Sequence, residues 1–157
     1  MAEYNDHMEV TFTLNTRAVD DALRQLTKRL HNTAPLMATL AEQLYTITDE
    51  SFDAQRSPDG TPWADLAPAT WKYKQSGRKL YESGTLRDSL YANSSPTHAE
   101  VGVHAVNKGF EYGLSHQFGA QKRNIPARPF FPLNDDGTLM DFAEADIVET
   151  IIAHFEL

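Results

Sequence analysis

Pro58-Asp59-Gly60-Thr61-Pro62-Trp63 is the first of four signatures that occupy the middle of the chain. The others are Ser83-Gly84-Thr85-Leu86-Arg87-Asp88-Ser89-Leu90, His116-Gln117-Phe118-Gly119 and Pro126-Ala127-Arg128-Pro129-Phe130-Phe131. Glycine and proline at this density interrupt helices and mark turns and loops. None of the four has the ligand spacing of a metal site or the residue set of a hydrolase. They therefore predict loop-rich structure between the regular elements that flank them.

Regular secondary structure is predicted on the N-terminal side of these signatures. Residues 8–14 alternate apolar and polar side chains, which predicts a β-strand with one buried face. Residues 19–30 place apolar side chains at helical spacing, and a second such stripe runs through residues 37–52. Thr33 lies between the stripes and offers a hydroxyl that can cap the second helix. Because the connection is short, we expect the two helices to form an antiparallel hairpin.

Shorter elements are predicted between and after the signatures. Thr85 and Asp88 form a capping pattern that opens a short helix, and residues 91–103 indicate two antiparallel strands joined by a turn. Residues 125–133 contain three prolines, so we expect an extended segment that could sit only at a sheet edge. Residues 139–155 place apolar side chains on one face of a C-terminal helix whose other face is acidic.

Length and composition indicate one α+β domain over residues 1–157. The expected elements are an N-terminal strand, an antiparallel helical hairpin, a small antiparallel sheet with short helices and loops, and a C-terminal amphipathic helix. The chain has no cysteine, which fits a reducing cytosol. It has no apolar run of the ~20 residues that a membrane helix needs and no signal-peptide pattern, so we expect neither a membrane span nor secretion.

The formal net charge of −8 is unevenly distributed. Residues 1–53 carry nine acidic and four basic side chains, residues 54–132 carry six acidic and ten basic, and residues 133–157 carry seven acidic and no Lys or Arg. The simplest interpretation is that acidic helix faces stay hydrated. The alternative is that surfaces of opposite sign meet between copies or with a partner. The overall sign disfavours free duplex DNA as a partner.

Chemistry-bearing residues are present without the arrangements that catalysis or metal binding needs. His98 and His104 are six residues apart on a predicted strand, about 20 Å, which is too far to chelate one ion. Ser115 and His116 are adjacent, and neighbouring side chains rarely aim at each other. Gly-rich phosphate-binding loops of the Walker or dinucleotide type do not occur. We therefore expect no cofactor, no metal and no enzymatic activity.

Nucleic-acid binding is an alternative function that the sequence leaves open. Residues 71–81 interleave Lys and Arg with Trp and Tyr, as single-stranded nucleic-acid sites do. Residues 121–128 add a basic loop with Lys122 and Arg123. The simpler interpretation is that the aromatic side chains pack inward while the cations are solvated, because the field of four cations is weak in an acidic protein.

Arg128-Pro129-Phe130-Phe131 is the segment that packing within one subunit explains least. Consecutive side chains on an extended chain point to opposite faces, so the rings of Phe130 and Phe131 both become buried only if something covers each side. One cover can be this protein's own sheet and the other a neighbouring subunit, where Arg and aromatic residues are enriched. Two faces of one internal core remain an equal alternative, and Trp63 has the same ambiguity.

The order of the four signatures resembles the phage virion morphogenesis family, the tail-completion proteins of Mu-like and P2-like tailed phages. The matching elements are Pro58-Asp59-Gly60 with Trp63, Gly84-x-Leu86-Arg87-x-Ser89, His116 to Gly119, and Ala127 to Phe130. The resemblance covers residues 50–133 strongly and the flanking helices loosely. It departs after Phe130, where family members often carry a small aliphatic residue and Gly but this chain has Phe131-Pro132.

The resemblance implies a structural role without catalysis: completing the tail and joining it to the filled head. Its implied partners are phage tail, neck and head proteins, in the virion and in the host cytoplasm during assembly. It also implies a ring of identical subunits, often six around the tail axis. Our candidate contact residues, taken from the signatures, are Trp63, Arg87, His116, Gln117, Phe118, Arg128, Phe130 and Phe131.

Overall fold

The structure, a computed structural model, describes residues 17–104, 106–107 and 110–156. The strand predicted at residues 8–14 lies outside the described residues. The helices are α1 (Arg17–His31), α2 (Ala34–Ala54), α3 (Pro68–Tyr73), α4 (Thr85–Asp88), α5 (Tyr112–Phe118) and α6 (Asp141–Phe155). The strands are β1 (Leu90–Ser95), β2 (His98–Val103), β3 (Val106–Asn107) and β4 (Phe110–Glu111), and a 3-10 turn spans Gln121–Arg123. This combination of helices with small antiparallel sheets confirms the α+β class.

Helix α2 is central because one stripe of its side chains is buried along its whole length. Leu36, Leu40 and Phe52 face the core, and the helix packs against β1, β2 and α6. Thr48 and Ser51 are buried on the same stripe, since their hydroxyls donate to backbone carbonyls one turn earlier, at 2.8 and 3.2 Å. The helix begins at the predicted position, but the Thr33 hydroxyl does not cap it.

Helix α1 departs from the predicted hairpin. It lies mainly against α6, where the Arg29 guanidinium donates to the backbone carbonyl of His154 at 3.1 Å. The apolar stripe that we expected to face the core leaves Val19, Leu23 and Leu30 each 56% exposed. A short connection does not by itself force two helices side by side, and α6 supplies the neighbouring surface instead.

The β-hairpin is confirmed. Strands β1 and β2 are antiparallel, with Leu90 opposite Val103 and Ser95 opposite His98, and the sheet lies on α2. Strands β3 and β4 form a separate antiparallel pair of two residues each. Helix α4 follows Gly84, whose φ of 84° makes it a left-handed N-cap, so the predicted side-chain cap from Thr85 is wrong.

The segment at residues 125–133 was predicted to be extended; it has neither helix nor strand, bends at residues 131–132, and carries isolated bridges from Ala120 to Ile125 and from Leu133 to Leu139. Helix α6 follows and turns Ala143 inward, where it is completely buried. The Thr150 hydroxyl of α6 contacts the Gln43 amide oxygen of α2 at 3.0 Å. None of the helices in the described residues is both long and apolar enough to cross a membrane.

Candidate protein-interaction site

The first signature is a tight turn that brings Trp63 into the core. Gly60 adopts a φ of 87°, and the Asp59 carboxylate accepts the backbone N–H of Thr61 at 2.9 Å. Trp63 is buried, and its indole Nε1 donates to the backbone carbonyl of Pro129 at 2.6 Å. The first and fourth signatures, more than sixty residues apart, are therefore joined by a hydrogen bond.

Gln117 of the third signature holds the fourth signature in place. Its side chain is buried, and its Oε1 accepts the backbone N–H groups of Phe130 and Phe131 at 3.0 and 2.9 Å. Its Nε2 donates to the Phe131 carbonyl at 3.3 Å. A proline-rich segment cannot complete a β-ladder, and buried backbone N–H groups need partners. The Gln117 side chain therefore supplies the hydrogen-bond partners that a neighbouring β-strand would otherwise supply.

Arg128 is buried and satisfied by backbone carbonyls. Its Nε and Nη2 donate to the carbonyls of Ala64 and Asp65, both at 2.8 Å. Its own backbone N–H donates to the His116 carbonyl at 2.6 Å. Burial lowers the pKa of the Arg128 guanidinium, and the negative charge of Asp65 opposes that shift. Arg128 thus links the segment after Trp63 to the third signature.

The rings of Phe130 and Phe131 lie together and not on opposite faces, so that expectation is wrong. Their centroids are 4.6 Å apart, and the completely buried Phe130 ring also packs on Phe52 at 5.1 Å. The backbone is not extended here: it bends at Phe131, and the N–H groups of both phenylalanines, which would point in opposite directions on a strand, share one acceptor, the Gln117 Oε1. Phe131 remains half-buried at the edge of the core.

The second signature is fastened to α2 by Arg87. Its guanidinium donates to both carboxylate oxygens of Asp49 at 2.7 and 2.9 Å and to both of Asp53 at 2.6 and 3.0 Å. The two acids are one turn apart on α2, so one planar guanidinium reaches both. The hydrogen bond from Arg87 lowers the pKa of the Asp53 carboxyl. Leu86, next to Arg87, is buried in the core with Trp63.

An apolar groove of about 380 Å³ opens on one side of helix α5. Leu114 and Phe118 line it from α5 and are 59% and 40% exposed, and Phe131 lines it from the fourth signature. Val103 of β2 and Leu133 complete its apolar walls. Leu114 is not among the predicted contact residues, and its i, i+4 spacing to Phe118 is the signal that points to it.

A larger open cleft of about 900 Å³ lies against α3, α5 and the residues between α3 and α4. His116 lines it, with a buried Nδ1 that has no hydrogen-bond partner. Burial, and secondarily the Arg128 charge, lower the pKa of His116, so the imidazole is neutral at neutral pH. Lys74 in the cleft wall forms a 2.8 Å ion pair with Glu82. In the described residues, no group of three or more His, Asp or Glu is placed to hold a metal ion.

Three of the four cations in residues 71–81, the segment predicted for nucleic-acid binding, donate hydrogen bonds to backbone carbonyls of the chain. Lys74 donates to the Tyr81 carbonyl at 2.6 Å, Lys79 to the Trp63 carbonyl at 2.8 Å, and Arg78 to the Phe52 carbonyl at 2.9 Å. A cation that donates to carbonyls of its own chain has fewer donors left for a phosphate. These contacts weigh against the nucleic-acid alternative.

The model of the phage virion morphogenesis family matches residues 14–156. The chain belongs to this family. It is 29% identical over 148 residues to the Mu-like prophage FluMu G protein 2 of Haemophilus influenzae, covering 91% of this chain and 93% of that protein. It is also 29% identical over 132 residues to the tail completion protein S of Escherichia phage P2, covering 77% and 83% respectively. No solved structure was found to match the chain.

The structure separates the predicted contact residues of this virion morphogenesis protein into two sets. Buried in the subunit is the set that we call the motif cluster: Trp63, Gln117, Arg128 and Phe130. Partly or largely accessible are Arg87, His116, Phe118 and Phe131, and the loop residues Lys122 and Arg123 are exposed. The motif cluster is almost entirely buried within the subunit, so it has almost no surface available to a partner. A role of the accessible set in binding stays a prediction.

Proposed function

We propose that this chain completes the phage tail and joins it to the filled head through protein–protein contacts, without catalysis. One observation carries the proposal: the first, third and fourth signatures form the buried motif cluster, and Leu114, Phe118 and Phe131 beside it line an apolar groove at the surface. Exposed apolar grooves with aromatic rims are typical of protein-binding sites. Family membership and the relative named as a tail completion protein support the phage setting.

The proposed absence of catalysis is supported by how the ionisable groups of the larger cleft are engaged. Lys74 is paired with Glu82, and Arg128 is bonded to backbone carbonyls. Ser83 shares a 2.6 Å hydrogen bond with the Thr85 hydroxyl. A catalytic site needs a nucleophile or base that is free to meet the substrate; Lys74, Ser83 and Arg128 are bonded to other groups, and the unpartnered Nδ1 of His116 is buried.

The proposed partners are the tail and the neck or head proteins, together with further copies of this chain in a ring of six around the tail axis. The setting is the virion, with assembly in the host cytoplasm. The basic middle and acidic ends of the chain support contacts between unlike surfaces, because complementary charge fixes register and speeds encounter.

The test is a joining reaction with purified components. Filled heads and free tails from phage lacking this protein are mixed with it, and joined particles are counted by electron microscopy. We expect joining to depend on the added protein and to be lost in the double variant Leu114→Ser, Phe118→Ser. The variant Tyr73→Ser removes a 78% exposed aromatic ring away from the groove and is expected to leave joining intact. Normal joining without the protein would disprove the role.

A further inference from the structure

Helices α1 and α6 each leave an apolar strip exposed. On α1 the strip consists of Val19, Leu23 and Leu30, each 56% exposed, and it runs along about 16 Å of helix. On α6 it consists of Val148 and Ile152, which are 47% and 56% exposed and lie one turn apart. Contiguous apolar strips of this kind mark surfaces that bind another protein.

The contact between α1 and α6 inside one subunit does not use these strips. Ala22, Leu26 and Arg29 are the half-buried side chains of α1, which packs on α6, and the Arg29 guanidinium donates to the backbone carbonyl of His154 near the α6 C-terminus. Helix α6 turns Ala143 and Thr150 inward. Both strips therefore lie on the outside of the α1–α6 pair.

The net charges of α1 and α6 determine which pairs of strips attract each other. Helix α1 has four basic and two acidic side chains, a formal +2, whereas α6 has four acidic side chains and no Lys or Arg, a formal −4. Two α1 helices would repel each other, as would two α6 helices, while α1 and α6 attract. Among the contacts that bury both strips, the pairing of α1 with α6 is thus the favourable one.

We propose that the α1 strip of one subunit docks on the α6 strip of a second copy of this chain. Each copy has one strip of each kind, so the contact is head-to-tail and repeats from copy to copy, closing into a ring where the rotation permits. The proposal rests on the proposed function and deepens it, because it assigns the surfaces through which copies would form the ring. It leaves the apolar groove beside α5 for a different partner.

The experiment measures molar mass in solution as a function of protein concentration for the whole chain and two variants. Leu23→Glu places a charge in the α1 strip and Ile152→Glu places one in the α6 strip. Each variant is expected to self-associate roughly tenfold or more weakly than the natural chain. An equal mixture of the two is expected to form a one-to-one dimer and nothing larger, since each retains one intact strip. Gln25→Glu, with the same charge change on another exposed position of α1, is the matched control.

The other outcomes overturn the proposal, each in its own way. Loss of association in only one of the variants would indicate contact between like helices. Loss of thermal stability in Leu23→Glu together with loss of association would indicate that the α1 strip is covered by its own chain. A natural chain that stays monomeric at its highest soluble concentration, yet joins heads to tails, would remove this contact and leave the proposed function standing.

Discussion

Replacing Gln117 by Met tests the motif cluster with little change of volume. The methionine side chain fills nearly the same space, so no cavity is created, but the amide that bonds the fourth signature is lost. Two backbone N–H groups, those of Phe130 and Phe131, then have no acceptor, while the Phe131 carbonyl loses one donor and keeps the N–H of Leu133.

The cost follows from these lost bonds. An unsatisfied buried N–H group costs about 1–3 kcal/mol, and the bond to Phe131 lies in a partly buried place, so its cost falls at the lower end. We expect Gln117→Met to lower the free energy of unfolding by about 2–4 kcal/mol. For a domain of this size, that corresponds to a fall in Tm of roughly 10 °C.

The assay is thermal and urea unfolding followed by circular dichroism, with Gln121→Met as the control. Gln121 is exposed, so its replacement is expected to change the free energy of unfolding by less than about 0.5 kcal/mol. If Gln117→Met unfolds within that same margin of the natural chain, the glutamine does not hold the fourth signature and the reasoning is refuted.

Three further substitutions test other parts of the site. A lysine in Arg87→Lys cannot reproduce the two forked ion pairs with Asp49 and Asp53, so we expect the variant to have a lower Tm than the natural chain. The difference in Tm is expected to shrink in about 1 M salt, and equal Tm values in low salt would contradict this. Burial lowers the pKa of His116, so the unfolded chain binds more protons below about pH 6.5 and stability falls as the pH drops through that range. His116→Gln is expected to flatten the decline in urea midpoint between about pH 7 and pH 5, and an unchanged slope would count against the buried neutral imidazole. Gly119→Ala places a Cβ 3.0 Å from a backbone nitrogen at a φ of 77°, so we expect the free energy of unfolding to fall by about 1–2 kcal/mol in chemical denaturation. The control is Gly77→Ala, whose Cβ meets open space and which is expected to be nearly neutral.

The elements that the sequence predicts correctly are those whose signal is local. The apolar stripe of α2 and the alternation in β2 are visible within a dozen residues, and prolines mark residues 125–133 as a segment without helix, whatever its neighbours. The packing partners of these elements, in contrast, cannot be predicted from local patterns. Val19, Leu23 and Leu30 have the spacing of a core stripe, yet they stay exposed, because α1 packs mainly on α6, more than a hundred residues away in the chain.

The sequence singles out most residues of the candidate site, but it does not show which of them are buried and which are exposed. The signatures name Trp63, Gln117, Arg128 and Phe130, and the structure brings them together. Sequence patterns could not show that they are buried, because a buried Gln or Arg depends on backbone partners supplied by distant segments. Leu114 lay outside the signatures; its spacing to Phe118 points to a shared helix face, and the folded position of α5 beside Phe131 shows that this face lines a groove.

The most direct test of the central claim is infectious-particle yield from a phage or prophage that carries a groove variant. The claim is that the buried motif cluster presents Leu114 and Phe118 to another virion protein. With Leu114→Ser, Phe118→Ser supplying the only copy of the protein, we predict that the purified variant keeps the natural Tm while heads and tails accumulate unjoined. Normal yields of infectious particles from the same variant would contradict the claim.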